Sequence, residues 1–364
     1  MTEKLKGKRL RLSAEEVELI YEFRGKDLEN INSNSALDLH LLERGIDKKD
    51  VISVKHWQNM KGELRFSIVT KEDVGVSEST IIKNISKFIE EYSPDYPKIK
   101  RKKTSSHLLV VNPADIHIGK YANSDETGEE YNVNIAFVRV IEGIEGLIEK
   151  SKGFDIGKVL FCIGNDVLHI DNVYNTTTKG TRQDVDGKWW EHLDVALNLY
   201  VRCIERLREI APVDVVHCMS NHDYQSGYHL AKNLESWFRK ADDVSFDVGV
   251  AHRKYYKYGK SLIGFEHGDA AKMDKLPLLM AQEKSQDWAD TKFRYWYLHH
   301  LHHKIKYKWQ DAKDYIGVTV EYLRSPSSSD SWHHRKGYCG VPKAVEGFIH
   351  EKETGQVARL VHYF

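Results

Sequence analysis

The stretch "KVLFCIGNDVLH", residues 158 to 169, runs five apolar residues together and then turns abruptly polar. An unbroken apolar run of this length, closed by Gly164, suits a strand buried on both faces. Four other stretches have the same form: "HLLVVN" (107–112), "VDVVHCM" (213–219), "SLIGF" (261–265) and "FRYWYL" (293–298). Helical periodicity falls between them, in "VNIAFVRVIEGIEGLIEK" (133–150), "WWEHLDVALNLYVRCIERLREI" (189–210) and "YHLAKNLESWF" (228–238). Strand and helix alternate, so the fold class expected beyond residue 107 is a layered α/β domain. The last stretch, "VEGFIHEKETGQVARLVHYF" (345–364), reads as a hairpin turning at "ETGQ".

The polar residues after each apolar run carry the chemistry. The first run leads to Asp115 and His117, and the second to Asp166 and His169. The third leads to Asn221, His222 and Asp223, the fourth to His267, and the fifth to "HHLHH" at 299–303. Ligands of open α/β sheets bind beyond the carboxyl ends of the strands, so these clusters are expected to converge on one sheet edge. Asp, His and Asn are ligands for Mn²⁺, Fe or Zn²⁺. The set is too rich for one ion and suits two cations roughly 3.5–4 Å apart, bridged by a carboxylate. A single histidine after a strand is more often a hydrogen-bonded structural residue. Five ligand-type clusters, all at strand ends, are hard to obtain by chance.

The bulk numbers agree with a folded, water-exposed protein. The chain has 364 residues, enough for one large domain with an appendage or for two domains. Hydrophobic residues make up 41% and charged residues 30%, which allows a sizeable core. Lys plus Arg equals Asp plus Glu at 54 each, so net charge neither indicates nor excludes nucleic acid. No apolar run is long enough to span a bilayer, and no signal-peptide core comes after the polar start. Cys162, Cys203, Cys218 and Cys339 are scattered and form no CxxC pair, so a reducing cytoplasm is the expected location.

Residues 1–92 read as a separate, mainly helical domain carrying a β-hairpin. "SAEEVELIYEFRG" (13–25), "NSALDLHLLERG" (34–45) and "SESTIIKNISKFIEEY" (77–92) carry helix signals, the first and last with Ser caps and the first two with glycine stops. "VISVKHWQNMKGELRFSIVT" (51–70) is the hairpin. The function expected of this domain is accessory packing or binding of DNA or a partner. "SPDYPKIKRKKTSS", residues 93–106, reads as a basic linker. The domain with the ligand clusters is expected over 107–364.

The ordered series Asp115-Ile-His117, Gly164-Asn-Asp166, Asn221-His222-Asp223, His267 and His300-Leu-His302 resembles the motif series of the calcineurin-like metallophosphoesterase superfamily. The resemblance covers roughly residues 107 to 364. It implies a β-sandwich flanked by helices around two divalent metal ions, Mn²⁺ with Fe or Zn²⁺ as alternatives. Asp115, His117 and His302 would hold the first ion. Asn221, His267 and His300 would hold the second, and Asp166 would bridge them. His222 would sit near the scissile phosphate. Three departures stand out: an extra residue in Gly164-Asn165-Asp166, Ser220 in place of a glycine, and His299 in place of another. "GNDVLHIDN" (164–172) looks like the corresponding segment of SbcD-like nucleases, and "TTTKGTRQDVDGKWW" (176–190) is similar to a stretch of phage-type nuclease-like phosphoesterases.

The implied activity is phosphodiester hydrolysis by a metal-bridging hydroxide, with DNA as substrate. His222 would stabilise phosphoryl charge or protonate the leaving oxygen, with Asp223 orienting it. His169, Lys179 and Arg182 are candidates for substrate contact, and Trp189 and Trp190 for stacking on bases or packing in the core. One alternative is a phosphoesterase acting on cyclic nucleotides, other nucleotides or phosphoprotein. A different class is a non-catalytic binding protein stabilised by metal. Nuclease relatives are often dimers, so a homodimer is a further expectation, and no membrane partner is expected.

Overall fold

A computed structural model describes residues 8–13, 16–24, 37, 41, 44, 46–58, 64–70, 94–101, 106–301, 312–337 and 340–364. The chain divides into two compact units, Met1–Tyr92 and Ser93–Phe364.

The first unit contains a four-stranded antiparallel sheet in the order β1-β2-β3-β4. Its strands are Lys8–Ser13, Glu16–Arg24, Val51–Gln58 and Leu64–Thr70. The hairpin expected at 51–70 is β3 with β4. The helix expected at 13–25 is instead the end of β1 and all of β2, a correction to the mainly helical reading of this domain. Val17, Leu19, Tyr21 and Phe23 alternate with other residues at the strand period of two, and the strand pairs with β1 over its first half and with β3 over Tyr21–Arg24. Leu37 and Leu41 are helical, four residues apart, and both pack on Val51 and Val54. The expected helix at 77–92 lies outside the described residues.

The second unit is mixed α/β, built from two mixed sheets. The larger sheet has the order β15-β14-β5-β6-β7-β8. Its parallel centre is β5 (His107–Asn112), β6 (Ile156–Gly164), β7 (Val213–Cys218) and β8 (Val244–Asp247). The hairpin β14 (Ala344–Glu351) and β15 (Gly355–Tyr363) adds antiparallel along β5, as the C-terminal pattern indicates. The smaller sheet runs β12-β13-β11-β10-β9. In chain order these are Lys254–Tyr258, Ser261–Glu266, Phe293–Leu298, Ala312–Tyr315 and Val318–Tyr322.

Alternation along each buried strand assigns the layers. Leu108, Val110, Leu160, Cys162, Val216 and Cys218 face the smaller sheet and pack with Ile263, Phe265 and Tyr297. Leu109, Val111, Val159, Phe161, Val213 and Val215 face the other way. They bury α1 (Val133–Ser151), α2 (Trp189–Arg208) and α3 (Tyr224–Trp237). On the outer face of the smaller sheet, Leu262, Trp296, Leu298 and Val320 cover α4 (Leu276–Glu283) through Leu276 and Met280. Both faces of the central strands are thus apolar, which explains their unbroken runs. Cys162, Cys203 and Cys218 are free and buried, while Cys339 lies outside the described residues. Among the described residues no helix is long and apolar enough to cross a membrane.

Part of the basic stretch at 93–106 is packed. Tyr96 stacks on Phe238 at 5.0 Å between ring centres, and the Arg208 guanidinium lies over the Tyr96 ring at 4.5 Å from its centre. Arg101 donates to Asp243 at 2.6 Å, and Arg208 donates to the same carboxylate at 2.7 Å. Burial opposes ionisation of Asp243, but these two guanidinium groups hold its carboxyl below the usual range.

Candidate metal centre

The polar clusters converge, but from two sheets and not along one sheet edge. Asp115, His117, Asp166, His169 and 220–223 come after β5, β6 and β7 of the larger sheet, while His267 and 299–301 come after β10 and β11 of the smaller. The chain ends of five strands therefore meet where the two sheets abut.

The turns that deliver these side chains are strained. Asp115 and His117 both have φ of 51°, Asp166 has 60° and His300 has 72°. Such values are uncommon away from glycine and persist only where the surroundings fix them. Backbone bonds supply that: Asp115 N–H donates to the Asn165 carbonyl, and His117 N–H to the Asp166 carbonyl, both at 2.9 Å. The loop after β5 is thus laced to the loop after β6. The extra residue Asn165 has φ of 53° and carries the turn, while its amide donates to Cys162 Sγ at 3.2 Å.

Among the described residues, three groups of ligand-type atoms could each hold a metal ion: Asp115, His117 and Asp166; Asp166, His267 and His300; and His117, His169 and His222. Asp166 is common to the first two. Its Oδ1 accepts the His222 N–H at 2.9 Å. Its Oδ2 is buried without a hydrogen bond and lies 3.0 Å from His267 Nε2. The Asn221 side-chain Oδ1 is 2.8 Å from that same nitrogen. A buried carboxylate oxygen lacking a hydrogen bond, amid imidazole nitrogens and an amide oxygen, is a donor set that fits a divalent transition metal. Charge points the same way. Burial would lower the His267 pKa, but the Asp166 and Asp115 carboxylates raise it to about 9. Burial pushes Asp115 up to about 8. It also opposes ionisation of Asp166, which His267 and His222 hold well below the usual carboxylate range. The pocket thus draws positive charge between its carboxylates. His302, an expected ligand, lies outside the described residues, as does His303.

His300 is half-buried, its ring 5.0 Å from that of His267, and its N–H donates to both Asp115 carboxylate oxygens at 3.0 Å. His299 is fully buried between the Glu266 carbonyl, 3.2 Å from Nδ1, and the Asn112 amide, 2.9 Å from Nε2. Burial pushes its pKa down to about 3, so it is a neutral link between the sheets. The left-handed residue here is His300; His299, which replaces the glycine, does not have positive φ.

His222 is positioned by an unexpected partner. Its Nδ1 lies 2.9 Å from the His169 carbonyl oxygen, which fixes Nδ1 as the N–H donor and makes Nε2 the acceptor of the neutral ring. Its ring stacks on His169 at 5.3 Å and meets His117 edge-on at 4.6 Å. Asp223 does not orient it, contrary to expectation. That carboxylate precedes the first turn of α3, turns inward, and accepts from Leu168 N–H at 2.8 Å and from the Ser220 hydroxyl. Ser220 Oγ also accepts the Asp166 N–H at 2.8 Å, which accounts for a serine in this place. His169 Nδ1 is 3.2 Å from His117 Nδ1, deep in the same cluster.

Lys179 and Arg182 are exposed on the loop between Asp171 and Gln183. The loop is tied to the centre by Thr178 N–H, which donates to the Asn221 carbonyl at 3.2 Å, and Lys179 Nζ lies 3.8 Å from Asp269. Among the described residues, no side-chain contact brings Arg182 into the cluster. Trp189 and Trp190 are exposed at 42% and 50%, so they are not core residues.

Three residues near the centre carry no such signal in the sequence. Lys120 is buried and ion-paired to Asp330 at 3.2 Å, and Ser325 Oγ donates to the Asp115 carbonyl at 2.7 Å. In the sequence, Lys120 reads as an ordinary surface lysine and "SPSSSDS" as a simple polar loop. The only hint is the run of small residues, which can thread beneath another loop.

No protein-family model matches the chain, and no curated protein matches it.

Proposed function

We propose that the unit beyond residue 107 is a dinuclear-metal phosphodiesterase with the calcineurin-like sandwich architecture, and that it acts on DNA as a nuclease. The observation that carries this reading is the shared Asp166, which joins one ligand group from the loop after β5 to another from the smaller sheet. A carboxylate common to two such groups is what a two-cation clamp on a phosphoester requires. Asp115 and His117 would hold one ion with His302, Asn221, His267 and His300 the other, and Asp166 both. When bound, Mn²⁺, Fe or Zn²⁺ would neutralise phosphoryl charge and activate water.

The chain's own contribution centres on His222. With Nδ1–H committed to the His169 carbonyl, Nε2 accepts in the neutral ring and, once the ring is protonated, is the atom that can donate to a phosphoryl or leaving oxygen. Neither group that contains Asp166 needs this ring, which clusters instead with His117 and His169, and a histidine beside the shared carboxylate that the two-ion set does not use suits catalysis. His169 supports the ring from beneath. Lys179 on the neighbouring loop can meet a phosphate, and the exposed Trp189 and Trp190 rings can stack on bases, which favours nucleic acid.

The test offers purified protein with Mn²⁺ single- and double-stranded DNA, a cyclic-nucleotide panel, bis-p-nitrophenyl phosphate and p-nitrophenyl phosphate. Cleavage of DNA and of the diester, with little action on the monoester, is the expected result. Hydrolysis of a cyclic nucleotide with DNA left intact would overturn the nuclease reading. Metal binding without turnover of any substrate would overturn the enzyme reading.

A further inference from the structure

The loop from Asp115 to Lys120 carries two proposed ligands at positive φ and is held at both ends by one other segment. At its start, Ser325 Oγ donates to the Asp115 carbonyl at 2.7 Å. At its end, Lys120 Nζ pairs with Asp330 at 3.2 Å, with the lysine side chain only 1% exposed. Both anchors sit on the strap 325–330, five residues apart. The strap is itself fixed: Arg139 of α1 donates to the Pro326 carbonyl at 2.6 Å and to Ser328 Oγ at 3.1 Å. Asp330 also caps the short helix Ser331–Arg335 by accepting from His333 N–H at 2.9 Å. Burying a lysine is costly, and apolar residues of similar volume commonly serve stability as well or better. The charge pair therefore calls for a reason other than stability.

We propose that the strap 325–330 is a two-point brace on the metal-ligand loop, and that Lys120 and Asp330 are positioning residues that hold Asp115 and His117 in their strained conformation. The pair does not touch substrate, since Lys120 is enclosed. It acts through the backbone of 115–120, whose amides at Asp115, His117, Ile118 and Lys120 all donate to carbonyl oxygens. The consequence for metal rests on the functional reading above, whereas the consequence for the loop does not.

The experiment uses the full chain and the double variant Lys120→Met/Asp330→Asn, which removes both charges together, leaves neither buried alone and keeps a capping oxygen for His333 N–H. Two readouts are taken. Hydrogen exchange of the peptide spanning 115–120, in EDTA, is expected to show lost protection while the core strands stay protected. Calorimetric titration with Mn²⁺ is expected to show affinity weakened about 10- to 100-fold, the usual effect of losing a partner behind the ligands. Lys120→Arg, which keeps the charge, is expected to retain most of both. Unchanged exchange at 115–120 in the double variant would overturn the brace, whatever the metal result. If wild-type protein binds no Mn²⁺ while exchange in the double variant rises as expected, the metallophosphoesterase reading fails and the brace stands. Weakened Mn²⁺ affinity accompanied by unfolding of the whole unit would also overturn it, by reducing the pair to a stability element.

Discussion

Ser220→Ala tests whether the turn before Asn221 depends on a hydroxyl. Ser220 Oγ accepts the Asp166 N–H at 2.8 Å and donates to Asp223, and all three residues are buried. Truncation leaves a buried N–H without its acceptor and a buried carboxylate without one of its donors. The neutral bond contributes about 1 kcal/mol net and the bond to a carboxylate about 1.5–3 kcal/mol, giving roughly 2–4 kcal/mol together. Burial already pushes Asp223 up to about 7, and removal of the hydroxyl adds to its difficulty in staying ionised. Urea denaturation in EDTA, followed by circular dichroism, measures the loss. Ser245→Ala is the control, because that exposed hydroxyl on Asp214 should contribute under about 0.5 kcal/mol. Ser220→Gly is expected to lose at least as much as the alanine variant, since glycine adds freedom to the unfolded chain. A Ser220→Ala variant within about 0.5 kcal/mol of wild type would refute the reasoning.

The site and the core support three further expectations. His222→Ala should lower turnover of bis-p-nitrophenyl phosphate by about 10²–10⁴-fold with Mn²⁺ content unchanged; equal turnover would remove its role. His350 is buried beside the Tyr297 hydroxyl, and burial lowers its pKa from 6.5 to about 3. The unfolded chain therefore binds a proton there between those values while the folded chain does not. Stability should fall as pH drops from about 6.5 towards 3, by at most about 5 kcal/mol from this group. His350→Gln should flatten that limb in acid titrations of unfolding free energy; an unchanged slope would count against it. Arg101→Ala should cost about 1–3 kcal/mol by leaving Asp243 to Arg208 alone, and hydrogen exchange should show 94–101 released. Retained protection there would show that the Tyr96 stack suffices.

The legible part of the fold was the part with one dominant pattern. Strands β5, β6, β7, β10 and β11 are apolar on both faces, and no helical period competes with their short runs. Their polar ends were equally plain. Strand β2 is ambiguous in sequence because residues 13–25 carry two patterns at once. Its serine, acids and closing glycine imitate a helix, while its odd-numbered residues alternate as a strand, and pairing with β1 and β3 decides between them. Asp223 shows a second limit. Adjacency to His222 in sequence implied contact, yet a helix begins between their directions and turns the carboxylate towards Ser220 and Leu168. Lys120 and Asp330 show a third, since a charge buried by a partner so distant in the chain leaves no local trace.

The left-handed residues of this domain have a consequence for how its sequence can drift. Among the described residues, six non-glycine positions have positive φ, and four of them are proposed ligands: Asp115, His117, Asp166 and His300. Glycine adopts that conformation without the steric cost a side chain meets there. At these positions backbone strain therefore opposes the very side chains the site requires. A population of variants screened only for heat resistance should drift towards glycine there and emerge hardier but inert. Retention of all four side chains in such a screen would mean that their hydrogen bonds outweigh the strain.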